Sequence, residues 1–374
     1  MKLCILGNVN CIHVQRYVRY LLEQGLYEIN LVSLSEPKDI DPDLLKKVHF
    51  ISLRGRSILW KLYSRIPIGS KYLIDCEIYA HKFKSLLKKI KPDIIHAFFL
   101  THCGYVAARA GARPLIASAL GSDVLYHPER AFLYKMFLQY VLGKADVITS
   151  DAETCSKAMM KYGANGKRIV TVPFGIDLGK YTIPEDGAKE TAMILSSRNL
   201  EPLYNIDLIL DAMAVVVAEI PEAKIYIAGK GSQRAGLEKK TEELGIQGSV
   251  IFLDYLDDRK MAGYYKRASV FVSVPSSDAT AQSLLEAMAS GCFPVVSDLP
   301  ANREWVKNGG NGFVIPVLDP TVLGNSILIA LKNPELGKKA RAMNIELMRA
   351  KADMNKNMGI FAGEYRRLLR KVQA

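Results

Sequence analysis

The sequence has few cysteines and none of the spacings that mark disulfide scaffolds or zinc sites. Its six cysteines are scattered through 374 residues without a Cys-x-x-Cys pair. Several lie in apolar segments, a pattern typical of reduced, buried thiols in a cytosolic protein. The sequence also lacks an apolar run of membrane-spanning length. It enters a strand at once and then a polar loop, so we expect no signal peptide.

Motifs for dinucleotides and nucleic acids are missing as well. The first glycine turn, Gly7-Asn8-Val9-Asn10, lacks a full Gly-x-Gly-x-x-Gly, so no dinucleotide cofactor is predicted. Without zinc-finger spacing or an RNA-reading aromatic signature, we expect no nucleic-acid partner. The Asp41-Pro42-Asp43 segment lies among turn residues, which predicts a solvated loop and not a metal site.

Positive charge is in excess and unevenly distributed. There are 50 Lys+Arg against 38 Asp+Glu, a net charge of +12, and most of the excess lies in residues 1–185. Residues 54–65 and 82–91 mix basic with aromatic and aliphatic side chains. This pattern fits the surface of an anionic membrane. It fits equally well an amphipathic segment whose basic face is solvated.

The chain alternates strands and helices twice, which predicts two α/β domains. A strand over Lys2–Leu6, a glycine turn and a helix from His13 open the first alternation. A second alternation follows the turn-rich residues 182–187. We therefore predict an N-terminal Rossmann-like domain over 1–183 and a C-terminal one over 184–374.

The stretch from Ser276 to Trp305 gives the strongest functional signal. An apolar strand at 270–274 precedes a polar loop, a helix closed by Gly291 and another strand, which is a βαβ unit. The free N–H groups at the start of that helix favour an anion. Asp278 and Glu286 flank this position, so the unit suits a sugar nucleotide with its diphosphate and hydroxyls. The alternative is an ordinary βα loop with a surface Asp and a helix Glu.

Asp278-x7-Glu286, followed by Ala-Met-Ala-x-Gly and Pro-Val-Val-Ser-Asp, resembles the Glu-x7-Glu region of the retaining glycosyltransferases of family 4, also called group 1. Segments at 92–96, 120–123 and 173–177 are similar to other parts of that family. The resemblance implies the GT-B fold, with two facing Rossmann-like domains, parallel sheets and an interdomain cleft. It also implies that the last helix, about 359–372, packs against the first domain.

The function implied by this resemblance is retaining transfer of a hexose from a UDP- or GDP-linked donor to an acceptor hydroxyl. The acceptor is a sugar, lipid-linked or small, in glycolipid, polysaccharide or other cell-envelope synthesis. No cofactor or metal is expected, and the location is cytoplasmic, with peripheral attachment to the inner membrane face as an extension. Two alternatives are a sugar-nucleotide epimerase on the same scaffold and a non-catalytic, membrane-associated sugar-nucleotide-binding subunit.

The resemblance also assigns site residues. Arg198 stabilises the leaving diphosphate, Asp278 orients the hexose and Glu286 holds the ribose. Asp123 is a third catalytic candidate, because it follows a strand at the edge where ligands bind. The further donor-binding candidates are Gly7, Asn205, Lys230, Gly231, Tyr255, Leu256, Ala281, Gln282 and Ser283. On the acceptor side the candidates are His13 and His96, each with a capping or core role as its alternative.

Three positions depart from the family pattern. The first acid is Asp278 where the family has Glu, so its side chain is one methylene shorter. Leu120 stands where many members have a histidine. The loop Leu203-Tyr204-Asn205 lacks the usual lysine. Either Asn205 with backbone N–H groups or Lys230 is expected to replace that lysine.

Overall fold

The computed structural model of the chain describes residues 1–38, 40–54, 68–184, 189–316 and 319–373. Most of the basic segment at 54–65 and part of the predicted linker therefore lie outside the described residues. The chain forms two compact units, one of Met1–Val172 with Gly359–Ala374 and one of Pro173–Met358. The second unit begins at Pro173, before the predicted boundary at Ile183, because Ile176 and Tyr181 pack in its core.

Apolar, mostly β-branched runs form the sheet of the first unit. All neighbouring strands are parallel, in the order β3-β2-β1-β4-β5-β6-β7. Both faces of such a sheet are covered by helices, which is why the strands are almost continuously hydrophobic. The strands are β1 Lys2–Leu6, β2 Glu28–Ser33, β3 His49–Ser52, β4 Ile94–Phe98, β5 Leu115–Ser118, β6 Val147–Ser150 and β7 Ile169–Thr171.

Helices of the first unit connect these strands. In chain order they are α1 Ile12–Glu23, α2 Pro42–Lys46, α3 Ile68–Ile90, α4 Tyr105–Arg109, α5 Ser122–Leu125, α6 His127–Arg130, α7 Phe132–Lys144 and α8 Glu153–Lys161. A π-helical turn, Leu100–Gly104, precedes α4, and a short 3-10 turn, Gly166–Arg168, precedes β7. The predicted loop at Asp41 is instead the start of α2, because the Asp41 side chain accepts the N–H of Asp43 and caps the helix.

The second unit has a six-stranded parallel sheet in the order β10-β9-β8-β11-β12-β13. Its strands are β8 Glu190–Ser196, β9 Lys224–Ala228, β10 Val250–Asp254, β11 Ala268–Ser273, β12 Phe293–Ser297 and β13 Phe313–Ile315. Leu195 on β8 pairs with Phe271 on β11. The loops that follow these two strands therefore leave the same edge of the sheet side by side.

Helices cover the second sheet and complete its core. They are α9 Ile206–Glu219, α10 Arg234–Glu243, α11 Asp258–Arg267, α12 Gln282–Ala289, α13 Pro300–Arg303, α14 Pro320–Lys332 and α15 Pro334–Lys351, with a 3-10 turn at Pro202–Tyr204 before α9. The apolar side chains of α9 and α14 pack against one side of the sheet together with the strand residues. This arrangement leaves the carboxyl ends of the strands for the polar loops.

The last helix, α16 Met354–Gln373, supplies residues to the first unit from Gly359 onward. The Tyr365 hydroxyl lies 2.6 Å from the Tyr17 hydroxyl and 2.7 Å from Nδ1 of His96, all of them buried. Phe361 packs edge-on against Tyr17. Over the part of the chain that the structure describes, no helix is both long and apolar enough to cross a membrane.

Candidate active site

Arg198 and Asp278 come together at the carboxyl edge of the second sheet, because they follow the neighbouring strands β8 and β11. Arg198 Nη2 lies 2.5 Å from Asp278 Oδ2, and Nη1 donates to Ser283 Oγ at 3.1 Å. The guanidinium carbon lies 4.4 Å from the centre of the Tyr204 ring. Burial lowers the pKa of Arg198, but Asp278 and Tyr204 outweigh burial, so the net pKa is raised and the cation persists.

The N-terminus of α12 lies beside this ion pair. Its N-cap residue is Ala281, which has no side-chain group that could accept the first N–H groups of the helix. Gln282 and Ser283 form the first turn, and the Gln282 amide nitrogen is buried with no partner among the described residues. A helix start with a guanidinium next to it is suited to a diphosphate.

Glu286 lies one turn into α12 and is buried, at 5% exposed. Its carboxylate is a hydrogen-bond partner of the Tyr265 hydroxyl, which also lies 2.6 Å from Ser197 Oγ. Burial, with Glu286 next, raises the pKa of Tyr265, so the hydroxyl stays protonated and can donate. Tyr265 and Ser197 were not predicted as site residues. A tyrosine within an amphipathic helix has the pattern of a core residue, and Ser197 resembles any loop serine.

Two glycines let the loop after β9 pack tightly against the loop after β8. A Cβ at Gly229 would lie 2.2 Å from the carbonyl oxygen of Arg198, and one at Gly231 would lie 2.2 Å from that of Leu200. Neither position can therefore carry a side chain without moving the backbone that presents Arg198. Gly231, predicted as a donor-binding residue, therefore lies against the loop that carries Arg198.

The remaining predicted donor residues lie on loops of the same sheet edge. The Lys230 ammonium is 6.0 Å from the centre of the Tyr255 ring, and Tyr255 is 63% exposed. Leu256 follows Tyr255 and is partly buried. Asn205 donates from its amide nitrogen to Val274 O at 2.8 Å and to Ser276 Oγ at 2.9 Å. The amide nitrogen of Asn205 therefore links the loop after β8 to the loop after β11. Lys230, after β9, lies beside Tyr255, after β10.

Four predicted residues lie in the first unit. Gly7 is buried after β1, where a Cβ would come 3.0 Å from Val14 Cγ2. His13 is partly buried in the first turn of α1. His96 is 0% exposed, with Nδ1 2.7 Å from Tyr365 Oη and Nε2 2.6 Å from Ser118 Oγ. Burial lowers the pKa of His96 to about 3, so the ring is a neutral core residue and offers no surface to an acceptor.

Asp123 organises two loops of the first unit. Its carboxylate is 0% exposed and accepts the backbone N–H of Leu100 at 2.6 Å and that of Leu120 at 3.0 Å. Burial raises the pKa of Asp123 to about 6, although the N–H groups oppose this shift. The predicted catalytic acid is therefore enclosed by backbone at the ends of β4 and β5.

Comparisons with known proteins agree with this geometry. A family model described as "Glycosyl transferase 4-like" matches residues 2–152, and one described as "Glycosyl transferases group 1" matches residues 182–346. The chain belongs to the group 1 glycosyltransferases. This group 1 chain is 25% identical over 276 residues to an alpha-monoglucosyldiacylglycerol synthase of Streptococcus pneumoniae, covering 68% of this chain and 58% of that protein. The match thus spans about three fifths of the relative.

Solved structures share the fold of this group 1 glycosyltransferase. A sucrose-phosphate synthase from Thermosynechococcus elongatus superposes with a TM-score of 0.82 at 17% identity, covering 99% of this chain and 100% of that one. HepE from Anabaena, in complex with UDP-glucose, gives 0.75 at 14% identity, covering 100% and 99%. The predicted α/β class and GT-B fold are confirmed.

A polar and aromatic cluster at the end of β4 in this group 1 chain was not predicted. Phe99 has a φ of 76°, which costs a non-glycine residue backbone strain, and the π-helical turn follows directly. Within the described residues, Thr101 Oγ1 and His127 Nδ1 are buried without a hydrogen-bond partner. The Phe99 and His127 rings are 5.5 Å apart. No sequence pattern predicts the unusual φ of Phe99. His127, beside Pro128 and shortly after Asp123, was a sequence signal that could have indicated this cluster.

Proposed function

We propose that this protein transfers a hexose from a nucleotide-diphosphate sugar to an acceptor hydroxyl with retention of anomeric configuration. The observation that carries the proposal is the position of Arg198 against Ser283, at the uncapped start of α12, with Glu286 one turn further on. A guanidinium and a helix N-terminus that converge on one point suit an anion such as a diphosphate, whose oxygens can accept from both. Glu286, which also bonds Tyr265, is proposed to accept from ribose hydroxyls.

The chemistry requires stabilisation of the leaving diphosphate. As the bond from the anomeric carbon to the diphosphate oxygen breaks, negative charge grows on that oxygen, and Arg198 with the α12 N–H groups stabilises it. The acceptor oxygen forms the new bond on the same face, and its proton passes to the departing diphosphate oxygen. The protein then needs no nucleophile of its own. Metal-independence remains part of this proposal.

The proposed donor is UDP-linked or GDP-linked. The complex of HepE with UDP-glucose supports UDP as the first nucleotide to test. The exposed Tyr255 ring next to Lys230 offers a flat surface for the base, and the partly buried Leu256 follows it in the chain. The name of the pneumococcal relative supports a glycolipid product and hence a lipid-linked acceptor.

Attachment to an anionic membrane surface is a further part of the proposal. In the described part of the basic region, α3 presents Lys82, Lys84, Lys88 and Lys89 to solvent. Leu73, Ile74 and Ile78 on the same helix are exposed apolar side chains. Basic residues beside exposed aliphatic ones suit the interface of an anionic bilayer. This would place the enzyme peripherally on the cytoplasmic face, close to a lipid-linked acceptor.

On the acceptor side we propose the cluster of Phe99, Thr101 and His127 in place of His96. Its two buried polar atoms have no hydrogen-bond partner among the described residues, so an acceptor hydroxyl would satisfy them. The Phe99 ring offers an apolar face next to them. His127→Ala is expected to raise KM for the acceptor and to leave donor affinity unchanged. His49→Ala, at an exposed position on β3, is the matched control.

The experiment that tests the function starts with a thermal-shift panel of UDP, GDP, ADP and their sugars. Stabilisation by one nucleotide would identify the donor class. That donor is then incubated alone and with glycolipid, polysaccharide and small sugar acceptors, and the product anomer is read by NMR. Conversion of the donor alone would favour the epimerase alternative. Binding without turnover on every acceptor would favour the non-catalytic subunit.

A further inference from the structure

Both oxygens of the Asp278 carboxylate are engaged by the protein itself. Oδ2 lies 2.5 Å from Arg198 Nη2, and Oδ1 accepts the backbone N–H of Ala279 at 3.0 Å. The two charged side chains are largely enclosed, at 10% exposed for Arg198 and 21% for Asp278. The attraction between the two charges is screened less in such an enclosed pair than on the surface. Each oxygen of Asp278 therefore already has a partner within the protein, and the charge of the carboxylate lies against Arg198.

Three contacts define where the Arg198 guanidinium lies. Asp278 binds one terminal nitrogen, Ser283 accepts from the other, and the Tyr204 ring covers one face. Among these three, only Asp278 carries charge. Its side chain thus sets the electrostatic potential that an anion would meet at Arg198, as well as the direction in which the guanidinium points.

We propose that Asp278 is a positioning residue that holds Arg198 and moderates its charge toward the diphosphate, instead of binding the transferred hexose. This inference rests on the proposed function, because it assigns a role within the same donor site. It differs from the role that the family resemblance implies for the first acid. The physical consequence is specific: a carboxylate next to the diphosphate position weakens binding of every nucleotide diphosphate equally, with or without its sugar.

Calorimetric titration of the full chain with UDP and with UDP-glucose tests the proposal. Asp278→Asn removes the charge and keeps the size of the side chain. We expect both affinities to rise by the same factor, on the order of tenfold, because Arg198 is no longer neutralised. The ratio of the two affinities stays at its wild-type value. Asp278→Glu, which restores the charge, is expected to return both affinities to near wild type.

Two results would overturn the proposal. One is weakening by Asp278→Asn that is confined to UDP-glucose, since that would mean that Asp278 binds the hexose. The other is an equal loss of affinity for both ligands in a variant with the wild-type melting temperature. Asp211→Asn is the matched control, because Asp211 pairs with Lys240 at 2.6 Å far from these loops. If wild type binds neither UDP nor GDP, the proposed function fails independently of the role of Asp278.

Discussion

At the scale of single residues, the site depends on one cation and the groups that hold it. Arg198 is mostly buried, and its positive charge survives because Asp278 lies against it. Tyr204 stacks on it at a position where the resemblance led us to expect a lysine. A cation–π contact adds stability without adding charge. Arg198 therefore offers its guanidinium to a diphosphate, and the helix N-terminus adds a further source of positive potential.

Arg198→Lys should lower kcat for transfer by roughly a hundredfold, while Arg198→Ala should lower it further. A lysine keeps the charge but loses the fork that contacts Ser283 and Asp278 together, and stabilisation of the leaving group is typically worth this much. Release of UDP from UDP-glucose is the measurement. Arg303→Lys, in an exposed pair with Asp298, serves as control. Wild-type rates for Arg198→Lys would remove Arg198 from the reaction.

Asp123→Asn should change how stability depends on pH. The folded-state pKa of Asp123 is about 6, above its ordinary 3.8, so the folded state binds this proton more tightly than the unfolded state. The contribution of Asp123 to the free energy of unfolding is therefore fully present below pH 4 and is lost as pH rises through 6. The stability advantage of wild type over the variant should shrink by about 3 kcal/mol across that window. Urea unfolding at several pH values measures it, and a constant difference would contradict it.

Sequence patterns identified the family and which loops share a sheet edge, since both depend on local motifs and strand order. They could not show that Asp278 is occupied by Arg198, because that depends on side-chain geometry across two loops. Sequence patterns also could not predict that His96 is buried, since its partner Tyr365 lies far away in the chain. Tyr265 was not predicted as a site residue for a similar reason, because its partners Ser197 and Glu286 lie on other elements.

At the scale of elements, the last helix is joined to β4 and α1 by a hydrogen-bonded chain. Tyr17, Tyr365, His96, Ser118 and Thr149 follow one another at 2.5–2.7 Å, and all are buried. Buried networks of this kind are stable when every member has a partner and costly when one is removed. The network therefore fixes the position of α16 on the first unit more specifically than apolar packing alone would.

Tyr365→Phe should destabilise the first unit by about 1–3 kcal/mol, because it leaves the Tyr17 hydroxyl and His96 Nδ1 without their shared partner. The ring contacts of residue 365 with Tyr27 and His96 are kept, so the loss reports the hydroxyl. Chemical denaturation measures the loss in the free energy of unfolding, and hydrogen exchange of the β4 amides shows whether the loss falls on the first unit. Tyr162→Phe, on the partly exposed end of α8, is the control. Equal stability of the Tyr365 variant and the control would show that the network contributes nothing.

At the scale of the whole molecule, the uneven charge is the main feature. Most of the net positive charge belongs to the first half of the chain, and in the described part α3 displays much of it. The site that is proposed to bind the anionic donor lies in the other half. The basic surface is therefore not explained by the donor and suits an anionic surface elsewhere, for which a bilayer is our proposal.

Binding of the full chain to phosphatidylglycerol vesicles should rise with anionic lipid content and fall with salt. Replacing Lys84, Lys88 and Lys89 with Glu should weaken sedimentation with these vesicles more than tenfold, since each charge near the surface is worth about 1 kcal/mol. The same change at Lys224, Lys338 and Lys339 is the control for net charge. Equal losses in the two variants would mean that α3 has no special part in binding.

The connection of α16 to the first unit also has a consequence for synthesis on the ribosome. Residues 1–172 emerge first, but Gly359 and the residues after it, which cover His96 and Tyr17, emerge only after the second unit has been made. A nascent first unit therefore lacks these partners of Tyr17 and His96 until the second unit has been translated. The order of translation and the order of packing differ in this protein.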